Sequence, residues 1–416
     1  MLLPRPLRRV AAIILFGILL LSWQLWRVAA EFGFEEVQDQ YPLLLKYLEG
    51  KRGNGGAWHL PEEWTQESAT NPRSIIDAAT VALNATTSQS ERQLPHSTIP
   101  RVIHQTWKDT RLETWPEIFR QSVEKWLAVV EEGDMAYMFW DDNGVAQFVK
   151  HFEPDLEDQF NALPSNVERS DVFRVLVSKW IGGVYVDADT EPLQRPTEWI
   201  TQTDILPWQD PEVGRSYRST EPVRAIVGIE ADNPPDKDTY WRMGYFYPVQ
   251  LTQWSFAWAP GHPILQRFLD HVFGIVRGVA KSHGNDLRCD ATQQELDGID
   301  PVNLTGPIVF TDSVRTWLEM KADLRWDSLS GLEDGGISKL VEDVLVLPIT
   351  GFSPGRGISG NMGSKPITDP SARLYHHAKG SWRKFSLVVE YGKVCRKLFG
   401  LCRDWPKVSN SNWILL

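Results

Sequence analysis

The chain has 416 residues, 42% hydrophobic and 23% charged, with a formal net charge of −11. It is long enough for one large globular domain or two smaller ones, and too apolar to be disordered. The negative balance argues against a nucleic-acid partner, although an acidic protein can still hold an anionic ligand through a metal ion.

In chain order, Arg5, Arg8 and Arg9 precede an uncharged stretch from Val10 to Trp26. This predicts a cytoplasmic tail (1–9), a signal-anchor transmembrane helix (10–29) and a luminal body. The rival reading is a signal peptide cleaved at Val28-Ala29-Ala30. Against it, Trp23, Gln24, Trp26 and Arg27 separate the apolar run from that site as an interfacial belt would. Residues 30–97 are polar and poorly periodic and read as a luminal stem. Asn84-Ala85-Thr86 and Asn303-Leu304-Thr305 are glycosylation sequons, with Asn84 and Asn303 as acceptors.

From Pro100 onward, apolar runs rich in β-branched and aromatic residues alternate with helix-like stretches, the pattern of an α/β domain (98–390) with a mixed, mostly parallel sheet. Expected strands are Arg101 to Gln105, Ala136 to Trp140, Gly183 to Val186, Ala225 to Ile229 and Val344 to Leu347. Expected helices are Glu117 to Val130, Asn166 to Trp180, Pro263 to Val276 and Thr311 to Met320. A C-terminal extension (391–416) follows, in which Cys395 and Cys402 are close enough to bridge, leaving Cys289 over. The 19 tryptophans serve cores and sugar faces alike.

Ligands of open α/β sheets collect at the carboxyl ends of strands. There, Gly182-Gly183-Val184-Tyr185-Val186 runs into Asp187-Ala188-Asp189. Residues two apart on an extended backbone point the same way, so Asp187 and Asp189 can address one cation. Carboxylate oxygens suit Mn²⁺ or Mg²⁺, and such an ion can bridge the phosphates of a nucleotide sugar and stabilise the departing diphosphate. On the preceding helix Asp171, Arg174 and Ser178 share a face that can look at the ligand. Gly182 and Gly183 permit a tight reversal with room for a ligand. A lone D-x-D is usually a solvated turn, but the combined helix, glycine turn and acidic strand end is far more specific.

Ser170 to Asp189 resembles the sugar-binding D-x-D region of glycosyltransferase family 32. Pro100-Arg101-Val102-Ile103-His104-Gln105-Thr106-Trp107 looks like that family's opening strand, and Phe139-Trp140-Asp141-Asp142 like its second. Gly228 to Asp232, Gln253 to Pro263, Gly306-Pro307 and Gly380-Ser381-Trp382 follow in the same order. Within the family, Val227 to Pro263 looks most like the yeast-type initiation-specific α-1,6-mannosyltransferases.

The resemblance implies a GT-A fold, GDP-mannose as donor, Mn²⁺ as cofactor, retention of configuration, and a single-pass type II protein of the Golgi membrane. It makes Asp187 and Asp189 ligands of metal and diphosphate, with Asp171 and Arg174 on donor sugar or phosphate. His104 and Gln105 would sit at the nucleotide end, with Trp107 stacking on the base. His376 would be a further metal or phosphate ligand, and Ser381 and Trp382 a turn over the diphosphate. Ala378 departs from the family, which commonly has an aromatic there. Glu230 and Asp232 are the nominees to face the acceptor or attacked carbon. The expected acceptor is an N-linked glycan. A glycolipid acceptor, inositol phosphorylceramide, is the enzymatic rival. A non-catalytic subunit of a mannosyltransferase complex and a lectin-like module are rivals of other classes.

Overall fold

The computed structural model of the protein describes residues 40–48, 55–68, 71–234, 240–356, 362–380 and 387–403. Among them no helix is long and apolar enough to cross a membrane; the expected tail and anchor lie outside the described residues.

The strands in chain order are β1 (Gly56–His59), β2 (Val102–Thr106), β3 (Ala136–Trp140), β4 (Gly183–Val186), β5 (Thr190–Pro192), β6 (Trp208–Gln209) and β7 (Ser216–Tyr217). They continue with β8 (Ala225–Asp232), β9 (Val249–Leu251), β10 (Ser255–Trp258), β11 (Lys339–Val341), β12 (Val344–Leu347) and β13 (Leu374–His376). A nine-stranded sheet has the order β1-β3-β2-β4-β10-β8-β12-β11, with β9 joined to β8. The five strands expected from the sequence all form, as β2, β3, β4, β8 and β12. They share one direction, because β2 is parallel to β3 and β4, β12 is parallel to β8, and β10 runs antiparallel to both β4 and β8. Antiparallel β1 and β11 close the two edges. The inserted β10 makes the sheet mixed at its centre.

Alternate residues of each strand face opposite sides, so the continuous apolar runs feed two cores. Ala136, Met138 and Trp140 join one; Tyr137 and Phe139 join the other. The helices expected at Glu117, Asn166, Pro263 and Thr311 are present as Glu117–Gly133, Asn166–Trp180, Pro263–Ser282 and Pro307–Ala322.

The stem is corrected in extent. Residues 56–59 pair with β3 at the sheet edge, and a capped helix, Ile75–Ser88, buries Ile75, Ala78, Ala82 and Ala85. Small alanines gave this apolar face little contrast against its threonines, which hid its helical period. The domain therefore begins well before residue 98. At the other end, Cys395 and Cys402 form the expected disulfide, with Cα atoms 6.1 Å apart. Cys289 is free. The expected boundary at 391 falls inside a helix, Leu387–Val394, that continues into a π-turn at Cys395–Phe399.

Candidate active site

The helix Asn166–Trp180 begins on a capping box, in which Ser165 and Glu168 satisfy each other's backbone N–H groups. That fixes the helix start and hence the inward face. Asp171 and Arg174 are both buried on it. The Arg174 guanidinium lies 3.1 Å from Asp171 Oδ1 and 3.2 Å from Asp187 Oδ1, and donates to the Gln253 carbonyl at 3.0 Å. Thr305 donates its hydroxyl to Asp171 Oδ2 at 3.0 Å. Burial pushes the Asp171 carboxyl up to about 7 against the pull of Arg174 and Thr305.

Beyond β4 the chain turns at Asp187. Its N–H donates to the Trp254 carbonyl, and its carbonyl accepts from Thr190 N–H and hydroxyl. Tyr185 donates to Asp187 Oδ1 at 2.9 Å. The turn leads into β5, which pairs antiparallel with β13 so that His376 faces Thr190. This register sets His376 Nε2 3.3 Å from Asp189 Oδ1. Asp189 Oδ2 accepts from Lys379 N–H after a left-handed turn at Ala378, whose φ is 50°. Ligand atoms of Asp187, Asp189 and His376 thus lie within 4.8 Å of one another. The carboxyls are pushed apart: burial raises Asp187, whereas at Asp189 burial is outweighed by the His376 imidazole and backbone N–H donors together, which hold the group down. His376 Nδ1 is buried with no hydrogen-bond partner among the described residues. Two carboxylates and one imidazole fit a divalent cation of the Mn²⁺ or Mg²⁺ kind.

Several expected donor contacts prove structural. His104 is fully buried; its Nδ1 accepts from Trp140 Nε1, so its Nε2–H donates to the Gly182 carbonyl at 2.9 Å. Burial lowers its pKa to about 4. Gln105 is held by Tyr137 and donates to the Asp187 carbonyl. Both therefore position the turn and leave no side chain for a nucleotide. Gly182 and Gly183 have φ of 73° and 101°, but a Cβ on Gly182 would meet Trp258 and Pro260, and one on Gly183 the Val102 carbonyl oxygen at 2.4 Å. Strand packing, not a ligand, fills that space. Asp232 is also corrected: both its oxygens are taken, by the Ser330 hydroxyl and the Gly331 N–H, so it clamps a loop. Trp107 stays half-buried against Phe119 at the end of β2. Asn84 is exposed and Asn303 half-buried. Ser381 and Trp382 lie outside the described residues.

Glu230 stands on a wall that sequence reasoning missed. Gln250 donates to it, and Arg356 approaches it at 3.6 Å while donating to Tyr245. Arg356 also lies over the Trp254 ring, which stacks on His376 at 4.5 Å. The Trp-rich run Gln253–Pro263 was the available signal for Trp254; an arginine distant in sequence left none.

The family described as the glycosyltransferase sugar-binding region containing a DXD motif matches residues 116–206, the span holding Asp171, Arg174, Asp187 and Asp189. Residues 116–206 of the chain are thus similar to the sugar-binding region of that family. The initiation-specific alpha-1,6-mannosyltransferase of Schizosaccharomyces pombe (strain 972 / ATCC 24843) is 33% identical over 296 residues, covering 69% of this chain and 65% of that one. Its namesake in Candida albicans (strain SC5314 / ATCC MYA-2876) is 30% identical over 244 residues, covering 55% and 57%. The chain thus spans somewhat less than two thirds of either relative's length. Inositol phosphoceramide mannosyltransferase 3 of Schizosaccharomyces pombe is 29% identical over 116 residues, covering 25% and 30%. His376 lies beyond the matched sugar-binding region and is brought to it by the β5–β13 pairing.

Proposed function

We propose that this glycosyltransferase is a retaining α-1,6-mannosyltransferase that moves mannose from GDP-mannose to an N-linked glycan. The carrying observation is the convergence of Asp187, Asp189 and His376 within 4.8 Å at the carboxyl end of a central strand. A bound divalent cation, Mn²⁺ in this reading, would neutralise the charge gathering on the departing diphosphate. Arg174 and Tyr185 both engage Asp187 Oδ1, which fixes the carboxylate; Oδ2 is the oxygen left for the ligand in this reading. Asp171 spends Oδ1 on Arg174 and Oδ2 on Thr305 and so anchors the floor of the site, over which the donor sugar lies in this reading. In this reading Trp107 stands at the nucleotide end, and Glu230 is the carboxylate offered to the acceptor hydroxyl. The α-1,6 linkage and glycan acceptor follow the two relatives with the longer alignments; the inositol phosphoceramide relative aligns over a quarter of the chain. Intact Asp171, Arg174, Asp187 and Asp189 favour turnover over a scaffold role in a mannosyltransferase complex. In this reading the N-terminal apolar run anchors the chain in the Golgi membrane with the domain luminal.

The test is GDP release from GDP-mannose with Mn²⁺ and a high-mannose acceptor, for wild type, Asp187→Ala and Asp189→Ala. Release that needs acceptor, metal and both carboxylates supports the reading, and product linkage analysis then tests α-1,6. A folded wild-type protein that releases no GDP with any glycan or lipid acceptor would overturn it.

A further inference from the structure

Nearly half of the large hydrophobic side chains exposed among the described residues fall in one short segment, Leu387 to Leu401. Leu387 is 75% exposed, Leu398 71%, Phe399 70% and Leu401 64%, with Tyr391 and Val394 about half-exposed between them. Positions 387, 391, 394 and 398 recur every three or four residues, so they form one stripe along the helix Leu387–Val394 and its π-turn. The other side of this segment holds it to the domain. Cys395 and Arg396 are buried there, Gly400 abuts the Arg242 guanidinium, and Arg403 lies over the Trp241 ring at 5.3 Å. The Cys395–Cys402 disulfide closes the loop that presents Leu398, Phe399 and Leu401. The stripe therefore points away from the domain on a covalently closed mount.

Apolar surface displayed this way marks a contact face, and charge decides its kind. Lys393 and Lys397 are exposed beside the stripe. Residues 387–403 hold Lys393, Arg396, Lys397 and Arg403 against the single acid Glu390, a basic island in a chain of net charge −11. The core of a protein–protein interface is depleted of lysine. An aliphatic and aromatic stripe flanked by lysines instead matches the boundary between acyl chains and anionic headgroups. We propose that this helix and its disulfide-closed turn form a membrane-docking element that seats the domain on an anionic phospholipid surface. The inference is independent of the sugar chemistry, since no residue of the segment belongs to the candidate metal-ligand cluster.

The full chain, reconstituted into phosphatidylcholine vesicles with and without phosphatidylserine and carrying a photoactivatable phospholipid, would be irradiated and its lipid-modified peptides mapped. Adducts are expected within residues 387–403, more with phosphatidylserine than without. They should fall at least about tenfold in Leu398→Glu/Phe399→Glu, which removes two apolar contacts with the bilayer. These side chains are exposed, so an unchanged thermal unfolding curve should accompany the loss. Adducts confined to the N-terminal apolar run, or undiminished in the variant, would overturn the proposal. So would chain-to-chain cross-links through the stripe in place of lipid adducts, which would assign the face to a second copy.

Discussion

Replacing Arg174 by methionine should destabilise the metal-free protein by about 3–5 kcal/mol, the cost of stranding a buried charge when its partner is removed. Methionine keeps much of the stem's volume, so the change isolates the guanidinium. Its loss leaves Asp171 and Asp187 without the cation that lies 3.1 and 3.2 Å from them, and the Gln253 carbonyl without its donor. Asp171, already raised to about 7 beside the guanidinium, must then take up a proton at neutral pH, in a site where only Thr305 and Tyr185 still donate to the two carboxyls. Urea unfolding at neutral pH with chelator present reads the loss. Saturating Mn²⁺ should shrink it, because a cation on Asp187 supplies part of the missing charge. Asp171→Asn added to Arg174→Met should recover stability, giving a double-mutant cycle far from additive. A loss under about 1 kcal/mol, the size of an exposed ion pair, with no recovery in the double variant, would refute charge compensation as the role of Arg174.

Three further outcomes are expected. His376→Ala should weaken Mn²⁺ binding, measured by calorimetry, by at least roughly 10–100-fold, the range found even for groups that only support a ligand; unchanged affinity would remove His376 from the ligand set. Thr305→Val should cost about 1–3 kcal/mol by leaving a buried oxygen of Asp171 without its donor, whereas Asn303→Gln, which also destroys the sequon, should leave the stability of unglycosylated protein unchanged. His104 is buried neutral with its pKa lowered from 6.5 to about 4, so its contribution is fully present above pH 6.5 and is lost as pH falls toward 4. That loss amounts to about 3 kcal/mol; an acid-unfolding profile in which His104→Gln shows the same fall as wild type over that window would contradict the assignment.

The parallel strands were legible because Val102 to Thr106, Ala136 to Trp140 and Gly183 to Val186 are short β-branched or aromatic runs that nothing but a doubly covered sheet would bury. Asp187 and Asp189 were legible from the helix, glycine turn and strand end around them, although the extended backbone assumed for their spacing gives way to a turn at Asp187. His104 was not, since only the indole N–H of Trp140 and the carbonyl of Gly182 distinguish a structural imidazole from a ligand, and both partners are distant in sequence. Asp232 failed for the same reason: the Ser330 and Gly331 donors that occupy it come from a loop about a hundred residues on. Glycines 182 and 183 showed that the backbone needs left-handed φ there, but not whether a ligand or Val102 fills the space. His376 came from family likeness rather than physics, because no periodicity foretells which strand a three-residue segment will join.

The β5–β13 ribbon also bears on biosynthesis. The acidic turn emerges from the ribosome long before β13, so the three candidate metal ligands cannot meet until nearly the whole domain has been made and its C-terminal part has returned across the sheet. Closing so distant a contact is slow in entropic terms. A partly synthesised or C-terminally clipped chain would therefore retain its D-x-D sequence yet lack a complete cation site, so that metal affinity reports whether a given molecule has finished folding.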